Sequence, residues 1–268
     1  MKEGGGVLSE FFEKGWCRFG ADVQMARWVE RALPYARAAV TSDEYAEWLR
    51  CGGTWFAGVN ALPNDAKGTL PDGQALSGAA LDFISNILKL SGFSWDKAQI
   101  SVCYPGYPKP MEQETEAGFR FRLNRDAAHV DGLHGEGPSR RRHLREHHAF
   151  ILGIPLVEAS PDAAPFVVWE GSHEVMREVF LVAYGGHTPA DWGQIDVTDV
   201  YKAARRKVFD ECERVELPAR PGEAYLVHRL ALHGVAPWGD NAEAGPDGRM
   251  IAYFRPELDD PARWLTDP

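Results

Sequence analysis

The feature that most constrains the fold of this chain is a series of short apolar segments over residues 98–256, separated by turns rich in glycine and proline. Short segments that alternate or run apolar are typical of the strands of a β-sandwich or barrel. The predicted strands are Ala98–Tyr104, Phe119–Leu123, His148–Val157, Pro165–Trp169, Glu223–His228 and Arg249–Phe254. We therefore expect a mainly β core over residues 98–256.

Helical periodicity dominates the first 97 residues and interrupts the β region twice. Apolar residues recur in these stretches at the spacing of one helix face, which predicts amphipathic helices. The predicted helices are Ala21–Val40, Asp43–Arg50 with Ser42 as N-cap, Gln74–Leu90, Ser172–Tyr184 and Thr198–Cys212. No repeat or linker divides the 268 residues. We expect one domain over residues 1–268, with residues 1–97 as a helical support for the β core.

Composition excludes several classes of function. The net charge of −10 disfavours nucleic acid as a partner, because an acidic surface repels phosphates. The sequence shows neither a signal peptide nor an apolar run long enough to span a membrane, so we expect a cytoplasmic protein that does not bind membranes. The four cysteines lack the Cys-x-x-Cys spacing, which favours inert thiols over a disulfide framework or a zinc site.

The pair His129-Val-Asp131 is the first candidate for metal binding. On an extended segment, side chains two residues apart point to the same face, so both could reach one ion. An imidazole with a carboxylate suits a borderline metal such as Fe(II). The spacing alone is weak evidence, since His134-Gly-Glu136 shows it too. That second pair falls in a loop rich in glycine and proline, which is expected to orient ligands poorly.

A second element lies near the C-terminus, where His233-Gly234 precedes a polar loop and the apolar segment that Arg249 opens. A second histidine would complete a face of two imidazoles and one carboxylate, which leaves three coordination positions open. His228 competes for this role but lacks the following glycine. An arginine on a neighbouring strand could bind a carboxylate through two hydrogen bonds.

Four motifs occur in a fixed order over about residues 101–256: His129-x-Asp131, the strand and turn from Phe166 to His173, His233-Gly234, and Arg249 at the start of an apolar strand. This order resembles the phytanoyl-CoA dioxygenase-like family of Fe(II)/2-oxoglutarate-dependent oxygenases. The resemblance implies a double-stranded β-helix, a jelly roll of the cupin-like kind, with the helical layer at its N-terminal side.

The resemblance also implies the site and its chemistry. His129, Asp131 and His233 would bind Fe(II), and Arg249 would pair with the far carboxylate of 2-oxoglutarate. Oxidation of a small-molecule substrate by O2 would accompany decarboxylation of 2-oxoglutarate to succinate. The carboxylate of Asp131 favours hydroxylation over halogenation, because a small residue there would admit a halide. The gap of 16 residues from His233 to Arg249 is longer than usual in the family, and Arg255 is the alternative on the same strand face.

Other motifs keep alternatives open. Arg140, Arg141, Arg142 and Arg145 are either a solvated segment or a lid that binds an anionic group of the substrate. His143-Leu-Arg-Glu146-His147 matches an inverted zinc-peptidase motif. A jelly roll that only binds a ligand, without catalysis, is a third possibility. Ser172 is expected to cap the helix that follows it, and His173 to be structural.

Overall fold

The computed structural model describes residues 3–112 and 114–268 as two antiparallel sheets with helices around them. The helices are α1 (Glu3–Lys14), α2 (Val23–Val40), α3 (Ala79–Asp82), α4 (Glu116–Asn124), α5 (Ser172–Ala183), α6 (Thr198–Glu211) and α7 (Arg263–Thr266). The strands are β1 (Trp16–Phe19), β2 (Leu49–Arg50), β3 (Trp55–Gly58), β4 (Gln99–Cys103), β5 (Leu133–Glu136), β6 (Arg141–Leu144), β7 (Phe150–Pro155), β8 (Phe166–Trp169), β9 (Arg214–Leu217), β10 (Ala224–His228), β11 (His233–Val235) and β12 (Arg249–Phe254). None of the helices in this part of the chain has the length and apolarity of a membrane span.

The connections between the sheets define the topology. The larger sheet has the order β1-β10-β7-β12-β4-β3-β2, the smaller one has the order β11-β8-β9, and β5-β6 is a separate hairpin. From β7 to β12 the chain passes from the large sheet to the small one, back through β10, and across twice more. This alternation is the connectivity of a double-stranded β-helix, as expected, and the two sheets do not close into a barrel.

A layer of apolar side chains fills the space between the sheets. Ile151 and Tyr225 contribute from the large sheet, and Phe166 and Val168 from the small one, all at most 3% exposed. On its other face, the large sheet packs on α2, where the fully buried Trp28 lies 5.7 Å from Phe254 between ring centroids. This close packing on both faces of the large sheet gives rigid support to the side chains at the ends of its strands.

The N-terminal region is not wholly helical, which corrects the expected helical support. Trp16–Phe19 pairs with β10 at one edge of the large sheet, and β2 and β3 extend the opposite edge through β4. Trp16 and Cys17 are buried in this pairing. The first third of the chain therefore completes the large sheet as well as covering it.

Three predicted elements were wrong in type or extent. Phe119–Leu123, predicted as a strand, lies within helix α4, which the Thr115 side chain caps by accepting from the backbone of Gly118 at 3.1 Å. The predicted helix Gln74–Leu90 is reduced to α3 and a following π-helical turn, Phe83–Ile87. Likewise, the segment predicted as a helix after Ser42 is a 3-10 helix, Asp43–Trp48, that runs into β2.

Candidate metal centre

Three side chains converge at one end of the space between the sheets. His129, Asp131 and His233 place one ligand atom each within 4.8 Å of one another, and no other group of this kind occurs in the described residues. The Nε2 atoms of His129 and His233 lie 3.2 and 3.7 Å from Oδ1 of Asp131. Asp131 and His233 are buried, whereas half of the His129 side chain is exposed. The sequence therefore identified residues that do meet in space.

Backbone pairing holds the two histidines side by side. Each of His129 and His233 donates its backbone N–H to the other's carbonyl, at 2.8 and 3.0 Å. Their Nδ1 atoms lie 3.0 and 2.9 Å from the carbonyl oxygens of Ala127 and Ala231. Because a carbonyl only accepts, Nδ1 carries the proton in both rings, and each Nε2 presents its lone pair to the site. This is the tautomer that a metal ligand requires.

Glycine follows two of the three residues, and in both cases space requires it. A Cβ at Gly132 would lie 2.2 Å from the carbonyl oxygen of Glu146, and its φ is +82°. A Cβ at Gly234 would lie 2.1 Å from the carbonyl oxygen of Asp126. Any larger residue would push the chain away from its neighbour at the point where the site is built. This accounts for the His233-Gly234 motif.

Charges around the site keep Asp131 ionised. Burial alone would raise its pKa, but the guanidinium of Arg255 holds the pKa of Asp131 well below its usual range. Burial lowers the pKa of His233, and Asp131 opposes that effect only in part. A carboxylate and a neutral imidazole are the forms that bind a divalent cation.

Sequence reasoning missed the residues that position this site. The backbone N–H of Val130, between the two predicted ligands, donates to the hydroxyl of Tyr201 on α6 at 3.1 Å. Asp126 forms a two-point ion pair with Arg214 on β9, at 2.7 and 3.0 Å, and its carbonyl accepts from Val235. These partners are 71 and 88 residues apart along the chain, so no local signal could have identified them.

The three side chains open onto a cavity of about 200 Å³. Its walls come from both sheets and from the edge strands β2 and β3. Most lining residues are apolar or aromatic, among them Trp55, Ile151, Phe166 and Tyr253. The ring of Phe166 stacks on His233 with an interplanar angle of 11°. Such a cavity suits a small molecule rather than a polymer.

The two candidate arginines, Arg249 at the start of β12 and Arg255 just after its end, lie at different places. Arg255 lines the cavity, and its Nη1 is 3.5 Å from Oδ2 of Asp131. Arg249 is buried at the far end of the strand and lines a separate small void with Tyr225. The hydroxyls of Tyr225 and Tyr253 are 3.0 Å apart, and Tyr253 lines the main cavity. The tyrosine pair therefore connects the void beside Arg249 with the main cavity.

The zinc-peptidase alternative has no structural basis. His143 lies on strand β6 and not on a helix, so His143 and His147 do not face one ion from successive turns. Glu146 instead contacts His134 and His148, at 3.1 and 3.3 Å. The pair His134 and Glu136 was predicted to lie in a loop, but both residues belong to β5.

The remaining candidates have structural roles. His228 is buried 5.0 Å from His173 between ring centroids, outside the group of three. The Ser172 hydroxyl accepts from the backbone N–H of Leu232 at 2.8 Å, so it is not the expected helix cap, and Gly171 takes that position. None of the four clustered arginines lines the cavity. Three of them bind Asp196, the carbonyl of Leu133, and Glu136.

Comparison with known proteins defines the class of fold. No protein-family model and no curated protein matches the chain. Among solved structures, it is similar to non-haem α-ketoglutarate-dependent enzymes. The carbocyclase SnoK from nogalamycin biosynthesis has a TM-score of 0.51 and 14% identity over 95% of this chain and 84% of that one. The epimerase SnoN of the same biosynthesis has a TM-score of 0.50 and 14% identity over 96% and 81%. Likeness at this identity shows a shared fold.

Proposed function

We propose that this protein is a non-haem Fe(II)- and 2-oxoglutarate-dependent oxidoreductase that uses O2 to oxidise a small molecule. The observation that carries the proposal is the convergence of His129, Asp131 and His233 at the mouth of a cavity. Two imidazoles and one carboxylate on one face suit Fe(II) and leave room for further ligands. When bound, iron and 2-oxoglutarate supply the oxidising chemistry and yield succinate and CO2.

The chain's own residues hold and orient these groups. Asp131 is already ionised, because the guanidinium of Arg255 favours its charged form. The Ala127 and Ala231 carbonyls fix the two imidazole rings. The apolar and aromatic part of the cavity wall limits the water near the reacting centre, which reduces side reactions of the oxidation.

Arg249 supports the assignment of 2-oxoglutarate. Its Nη1 has no hydrogen-bond partner within the described part of the chain, and the groups that raise the pKa of Arg249 are Tyr253, Tyr225 and Cys103, with no carboxylate among them. A buried guanidinium without a counter-ion costs several kcal/mol, on the order of the desolvation of one ion. The far carboxylate of a dicarboxylic acid would supply that counter-ion. Arg255 already has Asp131 beside it.

We infer hydroxylation as the reaction, since a carboxylate at Asp131 occupies the position through which a halide would enter. The two similar structures are named as a carbocyclase and an epimerase, so the oxidation type needs its own test by product analysis.

We further propose that residues 1–268 act as one domain in the cytoplasm, and that the chain belongs to the phytanoyl-CoA dioxygenase-like branch. Pairing of β1 with β10 supports one domain, because it joins the N-terminal region to the core sheet.

Metal binding and cofactor turnover test the proposal. Anaerobic titration with Fe(II) should give one site per chain, and 2-oxoglutarate under air should be converted to succinate. The D131A and H233A variants should lose both properties. H143A is the matched control and should keep both, whereas loss of metal in H143A alone would revive the peptidase alternative. The proposal would be refuted if the wild-type protein did not bind Fe(II), or if D131A bound it as well as the wild type. Either result would favour a jelly roll that binds a ligand without catalysis.

A further inference from the structure

One part of the cavity wall is built by the segment from the end of the 3-10 helix to the start of β3. Trp48 ends that helix, Arg50 lies on β2, and Trp55 opposite it begins β3. All three line the cavity that His129, Asp131 and His233 share. Because β3 pairs with β4 in the large sheet, this wall is fixed to the core and is not a free loop.

Arg50 is the cation of this cavity that lacks a counter-ion. Its guanidinium carbon lies 4.5 Å from the centroid of the Trp48 ring, and it has neither a hydrogen bond nor an ion pair with any residue that the structure describes. Arg255, the other arginine of the cavity, has Asp131 beside it. Other exposed arginines of the described chain also lack an ion pair, Arg206 among them, but Arg50 is distinguished by lining the cavity.

Stacking on Trp48 also prepares Arg50 for recognition. A guanidinium held over an aromatic ring keeps its N–H groups free at its edge, where they match the two oxygens of a carboxylate. The neighbouring Trp55 is fixed, because its Nε1 donates to the Ser101 hydroxyl at 3.1 Å. The wall therefore offers a positive edge beside aromatic surface.

We infer that the substrate of this site is a small aromatic or otherwise flat apolar molecule that carries an oxyanion, with a carboxylate as the simplest case. Its anionic group pairs with Arg50, and its apolar part packs against Trp48 and Trp55, in the cavity that these residues share with the metal centre. The inference rests on the proposed function for the chemistry, but the binding preference does not need the metal. It also assigns anion recognition to Arg50 and not to the arginines between residues 140 and 145, which lie outside the cavity.

Binding to the metal-free protein tests the inference directly. The probes are indole-3-acetate, its neutral analogue indole-3-acetamide, and acetate, each measured by calorimetry or ligand-detected NMR. Indole-3-acetate should bind about tenfold more tightly than the amide, as expected for a charge-assisted hydrogen bond. Acetate should bind much more weakly than indole-3-acetate, because it lacks the ring. Phenylphosphonate in a parallel series tells whether a phosphonate serves as well as a carboxylate.

The variant R50Q should bind the acid and the amide about equally, and R50K should recover part of the preference. R206Q removes another exposed arginine, far along the chain on α6, and should keep the wild-type ratio. Thermal unfolding of each variant shows whether it is folded. Equal binding of acid and amide by the wild type would overturn the inference, and so would an unchanged ratio in folded R50Q.

The two proposals fail separately. If the wild type binds Fe(II) and releases succinate but shows no preference for the acid, the inference is wrong and the proposed function stands. If the preference depends on Arg50 but Fe(II) does not bind, the anion site is real and the oxidoreductase assignment is wrong.

Discussion

At Gly234 there is room for a hydrogen atom but not for a methyl group, and the geometry of the site depends on this. A methyl group in its place would meet the carbonyl oxygen of Asp126 at 2.1 Å, and that carbonyl belongs to the segment that leads into His129. We predict that G234A lowers the free energy of unfolding by about 1–3 kcal/mol, as overpacked sites do, and weakens Fe(II) binding.

Gly245 provides the matched control for this change. A Cβ there would meet no atom within 4 Å, and its backbone is not left-handed. G245A should therefore unfold within about 0.5 kcal/mol of the wild type and bind metal normally. Denaturant titration and Fe(II) titration of G234A and G245A test this prediction. Equal stability of the two variants would contradict the steric argument.

Substitutions of Arg249 and Arg255 should have different effects on the binding of 2-oxoglutarate and of Fe(II). If Arg249 pairs with the cofactor, R249Q should raise the Kd for 2-oxoglutarate by about ten- to a hundredfold, because a charge-assisted interaction is lost. Fe(II) binding should change little, since Arg249 lines a separate void. R255Q should instead disturb the metal site through Asp131. The reverse outcome, with only R255Q weakening 2-oxoglutarate, would assign that role to Arg255.

At the residue scale, short-range spacing was sufficient to find the metal-binding candidates and insufficient to find what supports them. His129 and Asp131 are two residues apart, and that spacing can be recognised in a single sequence. Tyr201 and Arg214 reach the same loop from distant elements, and only the folded chain brings them there. Residues that act by positioning others carry no signature of their own.

Among the elements, α4 illustrates why alternation alone misleads. Phe119–Leu123 alternates aromatic residues with arginines, as an edge strand would. The same residues also suit a helix on the protein surface, since Thr115 caps it and Arg120 pairs with Glu116 one turn away. None of its residues is buried, so burial could not enforce a strand. The short strand β1 was missed for the opposite reason, because four residues are too few for a pattern.

The C-terminal helix α7 depends on one buried side chain, Arg229. Its guanidinium donates to the carbonyls of Trp264 and Asp267 near the chain end, at 2.7 and 2.5 Å, and to Ala149 before β7 at 3.0 Å. We predict that R229M lowers the free energy of unfolding by about 3 kcal/mol, because a buried carbonyl without a donor costs about 1–3 kcal/mol.

The exposed Arg206 again supplies the comparison, and R206M should leave the unfolding midpoint in urea almost unchanged. Hydrogen exchange at residues 263–266 should accelerate in R229M, because α7 loses its attachment. Full protection of that helix in R229M would show that other contacts hold it.

For the whole molecule, buried histidines predict how stability responds to acid. Burial lowers the pKa of His173, and it holds the pKa of His228 well below the usual range. The folded protein keeps these rings neutral, whereas the unfolded chain protonates them below about pH 6.5. The unfolded state then binds more protons, so stability must fall as the pH decreases through that value.

We therefore expect the Tm of the metal-free protein to fall between pH 7.5 and pH 5.5. The H228N variant should show a shallower dependence, while H187N, which changes an exposed histidine, should follow the wild type. A Tm that stays constant over this range would contradict the burial of neutral histidines. Glu146, whose pKa hydrogen bonding to His148 lowers to about 2, should contribute to stability down to far lower pH.

The overall architecture could be predicted from the sequence, because a jelly roll needs many short apolar strands and such segments can be recognised from their composition. The predicted strands from His148 to Phe254 all exist. The pairing of the N-terminal strands with both edges of the large sheet was not predictable, since it depends on which edges the core leaves open. The cavity wall that carries Arg50 arises from that pairing, so this wall could not be predicted from the sequence.

The hydrogen bonds that join His129 to His233 have one more consequence. The spacing of the two imidazoles is a property of the sheet, so the chelating groups are already arranged before any cation arrives. A zinc finger, by contrast, gains its structure only when the ion binds. Uptake and release of the ion should therefore leave the far-ultraviolet circular dichroism spectrum unaltered, and the apoprotein should be a stable form that can be stored and reloaded.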